Sequence, residues 1–226
     1  MPHPLDRPIW NSLTHRQAAF SLDAGGIIRR FDAAFAPFAA SADGTPESLV
    51  DLAVLVSEGQ TIILQQAEQI QPPPGLSLLR SALTVQMVAK KIEGPSPDFH
   101  FEELVATDAP EMLELASVTK PGPFGKRTHE LGRFLGVRHH GRLVAMAGER
   151  MKPGLFTEIS GVCTHPDYRG KGYAAGLMRE VGRDILARGE TPFLHAFADN
   201  VGAIALYQRL GFVTRWQPWL MVLARS

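Results

Sequence analysis

Between Gly172 and Gly189 the apolar residues Leu177, Met178, Val181, Ile185 and Leu186 recur at helical spacing, so they share one face of a predicted helix that stops at Arg188 and Gly189. A second helical stripe runs from Asn200 to Arg209 and ends at Gly211. A third follows Thr107 or Asp108, either of which suits an N-cap, has Pro110 in its first turn and continues through Ser117. Strand-like runs lie around these helices: Phe99 to Leu104, Gly132 to Arg138, Arg142 to Arg150, Leu155 to Thr164, Pro192 to Ala198, Phe212 to Trp216 and Trp219 to Leu223. His139, His140 and Gly141 read as a hairpin turn between two of them. The breaker-rich segment from Thr119 to Arg127 predicts a mobile loop bearing Lys120, Lys126 and Arg127, followed by a brief helical piece at His129 to Leu131.

The first ninety or so residues are patterned less regularly. Gly26 to Phe31, Thr61 to Gln65 and Leu83 to Val88 read as strands and Glu47 to Val56 as an amphipathic helix, with turn-rich connections at Ala39 to Pro46 and Gln71 to Gly75. The punctuation cluster Gly94, Pro95, Ser96, Pro97 marks a boundary. It divides an N-terminal α+β lobe, residues 1–94, from a second domain, residues 95–226.

Composition narrows the class. A chain of 226 residues suits one catalytic domain with an added lobe. Lys plus Arg (23) equals Asp plus Glu (23), and 45% of residues are apolar, so there is no bulk attraction for nucleic acid or a membrane surface and any polyanion site must be local. The single cysteine, Cys163, excludes an internal disulfide and a zinc cluster built on cysteines. The opening MPHPLDRP lacks the apolar core of a signal peptide, and no uncharged apolar run has the length of a membrane span. The expectation is a cytoplasmic protein of enzyme size.

The chemistry concentrates in VCTHPDYRGKGYA, Val162 to Ala174, where a strand turns through a basic glycine-bearing loop into the main helix. Gly170 and Gly172 permit a tight turn, the amides opening the helix point at whatever anion sits there, and Arg169 and Lys171 add positive charge. The spacing of Arg169, Gly172 and Ala174 resembles the acyl-CoA pyrophosphate loop, R/Q-x-x-G-x-G/A, of the GNAT acetyltransferase superfamily. A second stretch agrees with it: Asn200 followed by Ala203, Leu206, Tyr207, Leu210, Gly211 and Phe212. Within that superfamily the sequence is most similar to a bacterial branch with an extra N-terminal lobe, and DRPIWNSL and VQMV resemble that lobe, itself like a degenerate half of the same fold.

The resemblance implies an α+β GNAT fold, a mixed but mostly antiparallel sheet flanked by helices, with a smaller N-terminal lobe. It implies acetyl-CoA as cosubstrate, no metal, and direct attack of a primary amine of a small molecule or amino acid in a ternary complex, by a monomer or homodimer. Gly170, Lys171, Gly172, Tyr173 and Ala174 with Arg169 would hold the diphosphate, and the backbones of Val162, Cys163 and Thr164 the pantetheine arm, Val162 also offering an amide to the oxyanion. Tyr207 would protonate the leaving thiolate, and Asn200 would cap its helix or touch the pantetheine. Glu158 is the first choice of base and Glu149 the second, because a carboxylate must help an ammonium lose its proton. Cys163 reads as a small buried residue and not a nucleophile, His195 as a satisfied core histidine, and His139 with His140 as a solvated turn. Two other functions stay open, a protein or peptide N-acetyltransferase and a noncatalytic acyl-CoA sensor.

Overall fold

The computed structural model describes residues 3–24 and 26–225. A short 3-10 turn precedes α1 (Pro8–Leu13), and β1 (Ser21–Ala24), β2 (Ile28–Phe31) and β3 (Ala39–Ser41) form a three-stranded antiparallel sheet. Sequence patterning does not reveal α1, β1 or β3. Each is too short to show a period, and α1 is held by Ile9 and Leu13 packing against Phe31, Phe35 and Phe38. Glu47–Leu55 is wound as a 3-10 helix and not the expected α-helix, consistent with the i, i+3 spacing of its buried Leu49 and Leu52.

After β4 (Thr61–Gln66), β5 extends over Leu76–Val88, well beyond the predicted six residues or so, because it serves different partners along its length. Its first part pairs with β12 (Trp219–Arg225); its second pairs with β10 (Thr191–Phe197) and β11 (Val213–Trp216). The remaining strands and α-helices among the described residues are β6 (Glu102–Leu104), α2 (Ala109–Thr119), β7 (Phe134–His139), β8 (Arg142–Glu149), β9 (Phe156–Thr164), α3 (Tyr173–Ala187) and α4 (Val201–Arg209). Together the strands make a nine-stranded sheet in the order β4-β12-β5-β10-β9-β8-β7-β6, with β11 beside β5. Hydrogen bonding in this sheet runs unbroken across the Gly94–Pro97 segment, since β4 and β5 precede it and their partners follow it.

Helices cover both faces. Leu177, Met178, Val181 and Ile185 of α3 bury their stripe against Val144, Ala145, Ile159 and Leu194. On the opposite face Met112 and Leu115 of α2 pack on Leu143, Met146 and Cys163, and the N-terminal lobe packs Phe35 and Phe38 near Met151 and Phe193. The loop after α2 is pinned to that lobe at its far end and is not free as expected. The Arg127 amide donates to the Ala34 carbonyl at 2.9 Å, the Thr128 hydroxyl donates to the Phe35 carbonyl at 2.5 Å, and the Arg127 guanidinium stacks 4.3 Å from the Phe35 ring.

Among the described residues, β9 and β10 are the one parallel pair of the large sheet, and α3 supplies the crossover that parallel strands require. Their pairing is short. It covers Phe156 to Glu158 against Thr191 to Phe193 and goes no further. Beyond Glu158 the β9 backbone departs at Gly161, whose φ of 64° lies in the left-handed region, and the register against β8 shifts between Met146 and Gly148. The two strands therefore part, and a cleft opens between them.

Candidate active site

The parted strands lead into a cleft of about 740 Å³ that reaches the sheet through the opening between β9 and β10. At one end lies the loop before α3. Gly170 and Gly172 adopt φ of 79° and 77°, and no atom lies within 4 Å of where a Cβ would stand at either, so the loop is bare on that side. Gly172 caps α3 without any side-chain contact. Among the described residues, the amides from Gly170 to Ala175 have no acceptor; the first bond of the helix is Gly176 N–H to the Gly172 carbonyl, 2.9 Å. A row of unsatisfied donors at the positive end of a fifteen-residue helix fits a diphosphate. Arg169 and Lys171 are exposed beside it, with the Lys171 ammonium 5.2 Å from the Tyr168 ring.

Val162, Cys163 and Thr164 line the same cleft, as do Asn200, Ala203 and Tyr207 from α4. The Asn200 carboxamide oxygen accepts from the Ala203 amide at 3.2 Å and so fixes the start of α4. Tyr207 sits one turn beyond Ala203. Burial pushes its hydroxyl pKa up, which keeps the proton on it, and among the described residues the hydroxyl has no hydrogen-bond partner. Cys163 turns its side chain under α2, and burial raises its thiol to about 11, so it is not a nucleophile at neutral pH.

Glu158 stands where the strands begin to part, and it is wholly buried. The Arg150 guanidinium donates to it twice, from Nε at 2.8 Å and Nη2 at 2.9 Å, and His195 Nδ1 lies 2.9 Å from Oε1. Burial alone would raise the carboxyl pKa. The Arg150 charge and the hydrogen bonds from His195 and Arg150 outweigh it and bring the group down to about 2. A carboxylate that acidic stays charged and has little appetite for a proton. Of the pair, His195 lines the cleft. Glu149, the second choice, is 2% exposed and sits between Lys152 at 2.9 Å and Arg188 at 2.7 Å, away from the cleft.

With this geometry in view, the likeness to known proteins becomes specific. The family model described as FR47-like protein matches residues 134–220. A GNAT-family protein from Novosphingobium aromaticivorans is 46% identical over 100% of both chains, and its crystal structure superposes with a TM-score of 0.91. This chain belongs to the GNAT superfamily of N-acetyltransferases. A GCN5-related N-acetyltransferase from Kribbella flavida, 15% identical over 91% of this chain and 89% of its own, shares the fold with a TM-score of 0.60. N-alpha-acetyltransferase RimI from Mycobacterium tuberculosis is 37% identical over 82 residues, which are 35% of this chain and 51% of that protein. The chain thus spans about half the length of that curated relative.

In this GNAT chain the cleft is walled on one side by residues that the GNAT motifs do not contain. Phe38, Ile63 and Gln65 of the N-terminal lobe line it together with Met151 and Leu220, and the Arg150 guanidinium lies 4.6 Å from the Phe38 ring. Sequence reasoning missed Arg150; it read His195 as a satisfied core histidine, and both ring nitrogens do have partners, but it gave no sign that those partners are Glu158 and Gln86 or that the ring lines the cleft. Nothing in the spacing could have found them. Arg150, Glu158 and His195 stand 8 and 37 positions apart and meet only because β8, β9 and β10 are neighbours in the sheet.

Proposed function

We propose that the chain transfers the acetyl group of acetyl-CoA to a primary amine of a small molecule or amino acid, by direct attack within a ternary complex. The observation that carries this reading is the run of donors without acceptors, Gly170 to Ala175, opening onto a cleft between two parted strands. Acetyl-CoA supplies the activated thioester. The amides of Gly170, Lys171, Gly172, Tyr173 and Ala174 hold its diphosphate with help from the Arg169 and Lys171 charges, and the convergence of several donors matters more than the ~0.3–1 kcal/mol of any one exposed charge at a helix end. The backbones of Val162, Cys163 and Thr164 guide the pantetheine arm, and the Val162 amide faces the developing oxyanion. Asn200 fixes the first turn of α4 and so the reach of Tyr207, whose hydroxyl proton passes to the departing sulfur. Glu158, the carboxylate first expected as base, is buried behind the cleft wall and acts here as a fixed negative charge beside the site, not as the group that takes the amine's proton.

Residues 1–94 act as the acceptor-side lobe and residues 95–226 as the catalytic unit, joined through one sheet. The apolar wall of Phe38, Ile63 and Leu220 favours a compact acceptor with an apolar body. The likeness to RimI over about a third of the chain favours a second reading, in which the amine is the α-amine of a peptide. A panel of amines, amino acids and short peptides, incubated with acetyl-CoA while free thiol is monitored, separates the two. Acetyl-CoA binding by calorimetry with no amine-dependent thiol release from any of them would point instead to a sensor.

A further inference from the structure

The buried charges at the mouth of the strand opening are joined to a longer polar chain. Arg215 of β11, itself paired with Asp6, donates from Nη1 to Gln86 Oε1 at 2.9 Å. Gln86 Nε2 donates to the Leu5 carbonyl at 2.9 Å and lies 3.2 Å from His195 Nε2. These partners leave the carboxamide one orientation, because its oxygen must face the Arg215 donor and its nitrogen the Leu5 acceptor. His195 Nε2 therefore accepts from Gln86. The ring proton sits on Nδ1, where it is given to Glu158 at 2.9 Å.

That tautomer has consequences. The lone pair is on the ring nitrogen away from Glu158, and the contact covering it, 3.2 Å, is longer than the 2.8–2.9 Å bonds that the side chains of Arg150, His195 and Arg215 donate to Glu158 and Gln86. Arg150 and Glu158 cancel in charge before reaction, so uptake of a proton creates an imidazolium next to a carboxylate already held in place. The logic is that of a histidine oriented by a buried acid. We propose that His195 is the residue that takes the proton of the acceptor amine, at Nε2, with Glu158 and Arg150 as positioning residues and Gln86 as the donor that the arriving amine or its bound water displaces.

The step balances simply. The substrate ammonium gives one proton to Nε2 and its nitrogen lone pair attacks the thioester carbon. Tyr207 gives its proton to the sulfur as the C–S bond breaks, the second proton lost from that nitrogen passes through solvent to the Tyr207 oxygen and restores it, and His195 returns its proton to solvent. The groups facing the imidazole are Glu158 from β9, Gln86 from β5 and, behind them, Arg150 and Arg215.

This inference rests on the acetyl-transfer reading, and its test has an arm that does not. In His195→Gln, kcat should fall about 10²–10⁴-fold and the acidic limb of the rate profile should vanish while acetyl-CoA affinity by calorimetry is unchanged. Gln86→Met removes a donor that stabilises the neutral ring, so it should move the acidic limb to higher pH. Unaltered kcat and limb in His195→Gln, or an unmoved limb in Gln86→Met, overturns the proposal. Independently of any acceptor, ¹⁵N-histidine NMR of the full chain, with the His195 signals assigned by their loss in His195→Gln, should show the proton on Nδ1. A proton on Nε2 overturns the proposal even where acetyl transfer is demonstrated, whereas Nδ1 protonation with no thiol release from any amine faults the acetyl-transfer reading alone.

Discussion

Replacing Glu158 with Gln changes one atom type and tests the electrostatics of the site without touching the loop before α3. The folded carboxyl lies at about 2 against an ordinary 4.5, a difference of about 2.5 units, which amounts to about 3 kcal/mol of stability at neutral pH. Because the folded value is the lower one, this stability is present above the unfolded value and is lost as pH falls from about 5 toward 2. The linkage relation removes about 2 kcal/mol of it between pH 5 and pH 3. Glu158→Gln lacks that dependence and leaves Arg150, 7% exposed, without its counter-charge, a change that costs about 3–5 kcal/mol at pH 7 for a buried pair. Urea unfolding of both proteins at intervals from pH 7 to pH 3 supplies the comparison. The stability difference between them should shrink on acidification by about 2 kcal/mol. Other depressed carboxyls such as Asp6 and Glu190 are common to both chains and cancel in the difference. Parallel stability curves would refute the reasoning, since they would mean that Glu158 titrates alike in the folded and unfolded chains.

At the cofactor loop, Gly172→Glu should weaken acetyl-CoA binding about tenfold to a hundredfold by calorimetry, from a charge several ångströms from the diphosphate at high effective dielectric. Gly172→Ala is its control, carrying the same left-handed backbone cost of about 1–2 kcal/mol but no charge. Tyr207→Phe should lower kcat with little change in acetyl-CoA affinity; equal turnover across the pH range would remove the hydroxyl from the reaction. In the sheet, a Cβ at Gly148 would lie 2.3 Å from two ring carbons of Phe134, so Gly148→Ala should cost at least about 2 kcal/mol in denaturant unfolding. Gly202→Ala, in α4 with nothing within 4 Å, should instead gain up to about 1 kcal/mol and raise the thermal midpoint.

Much of the second half of the molecule was legible along the chain, because its determinants are local. The α3 stripe from Leu177 to Ile185, the turn at His140 and Gly141, and the glycines before α3 each act within a few residues of themselves, so spacing carries the information. The same holds for the loop before α3, whose free donors are consecutive amides. The N-terminal lobe was read less well for the converse reason. β3 lies inside a stretch rich in turn residues and exists because Ala39 to Ser41 pairs with Ile28 to Arg30, while the 3-10 helix at Glu47 and the pinned end of the loop at Arg127 depend on what they pack against. The conspicuous breakers at Gly94 to Pro97 suggested a division, yet backbone pairing between β5 and strands far downstream crosses it.

At the site the same contrast applies. Sequence alone determined the glycine turn that bares the amides before α3 and the helix that carries Tyr207 beyond Asn200, since both follow from patterns contiguous in the chain. Tertiary structure alone decided the company of Glu158. Only when β8, β9 and β10 lie side by side do Arg150 and His195 reach its carboxylate, and only when the N-terminal segment folds back do Leu5 and Gln86 orient the imidazole. Hydrogen bonds and Coulomb forces act over a few ångströms of space and are indifferent to separation along the backbone, so no one-dimensional pattern could have encoded them.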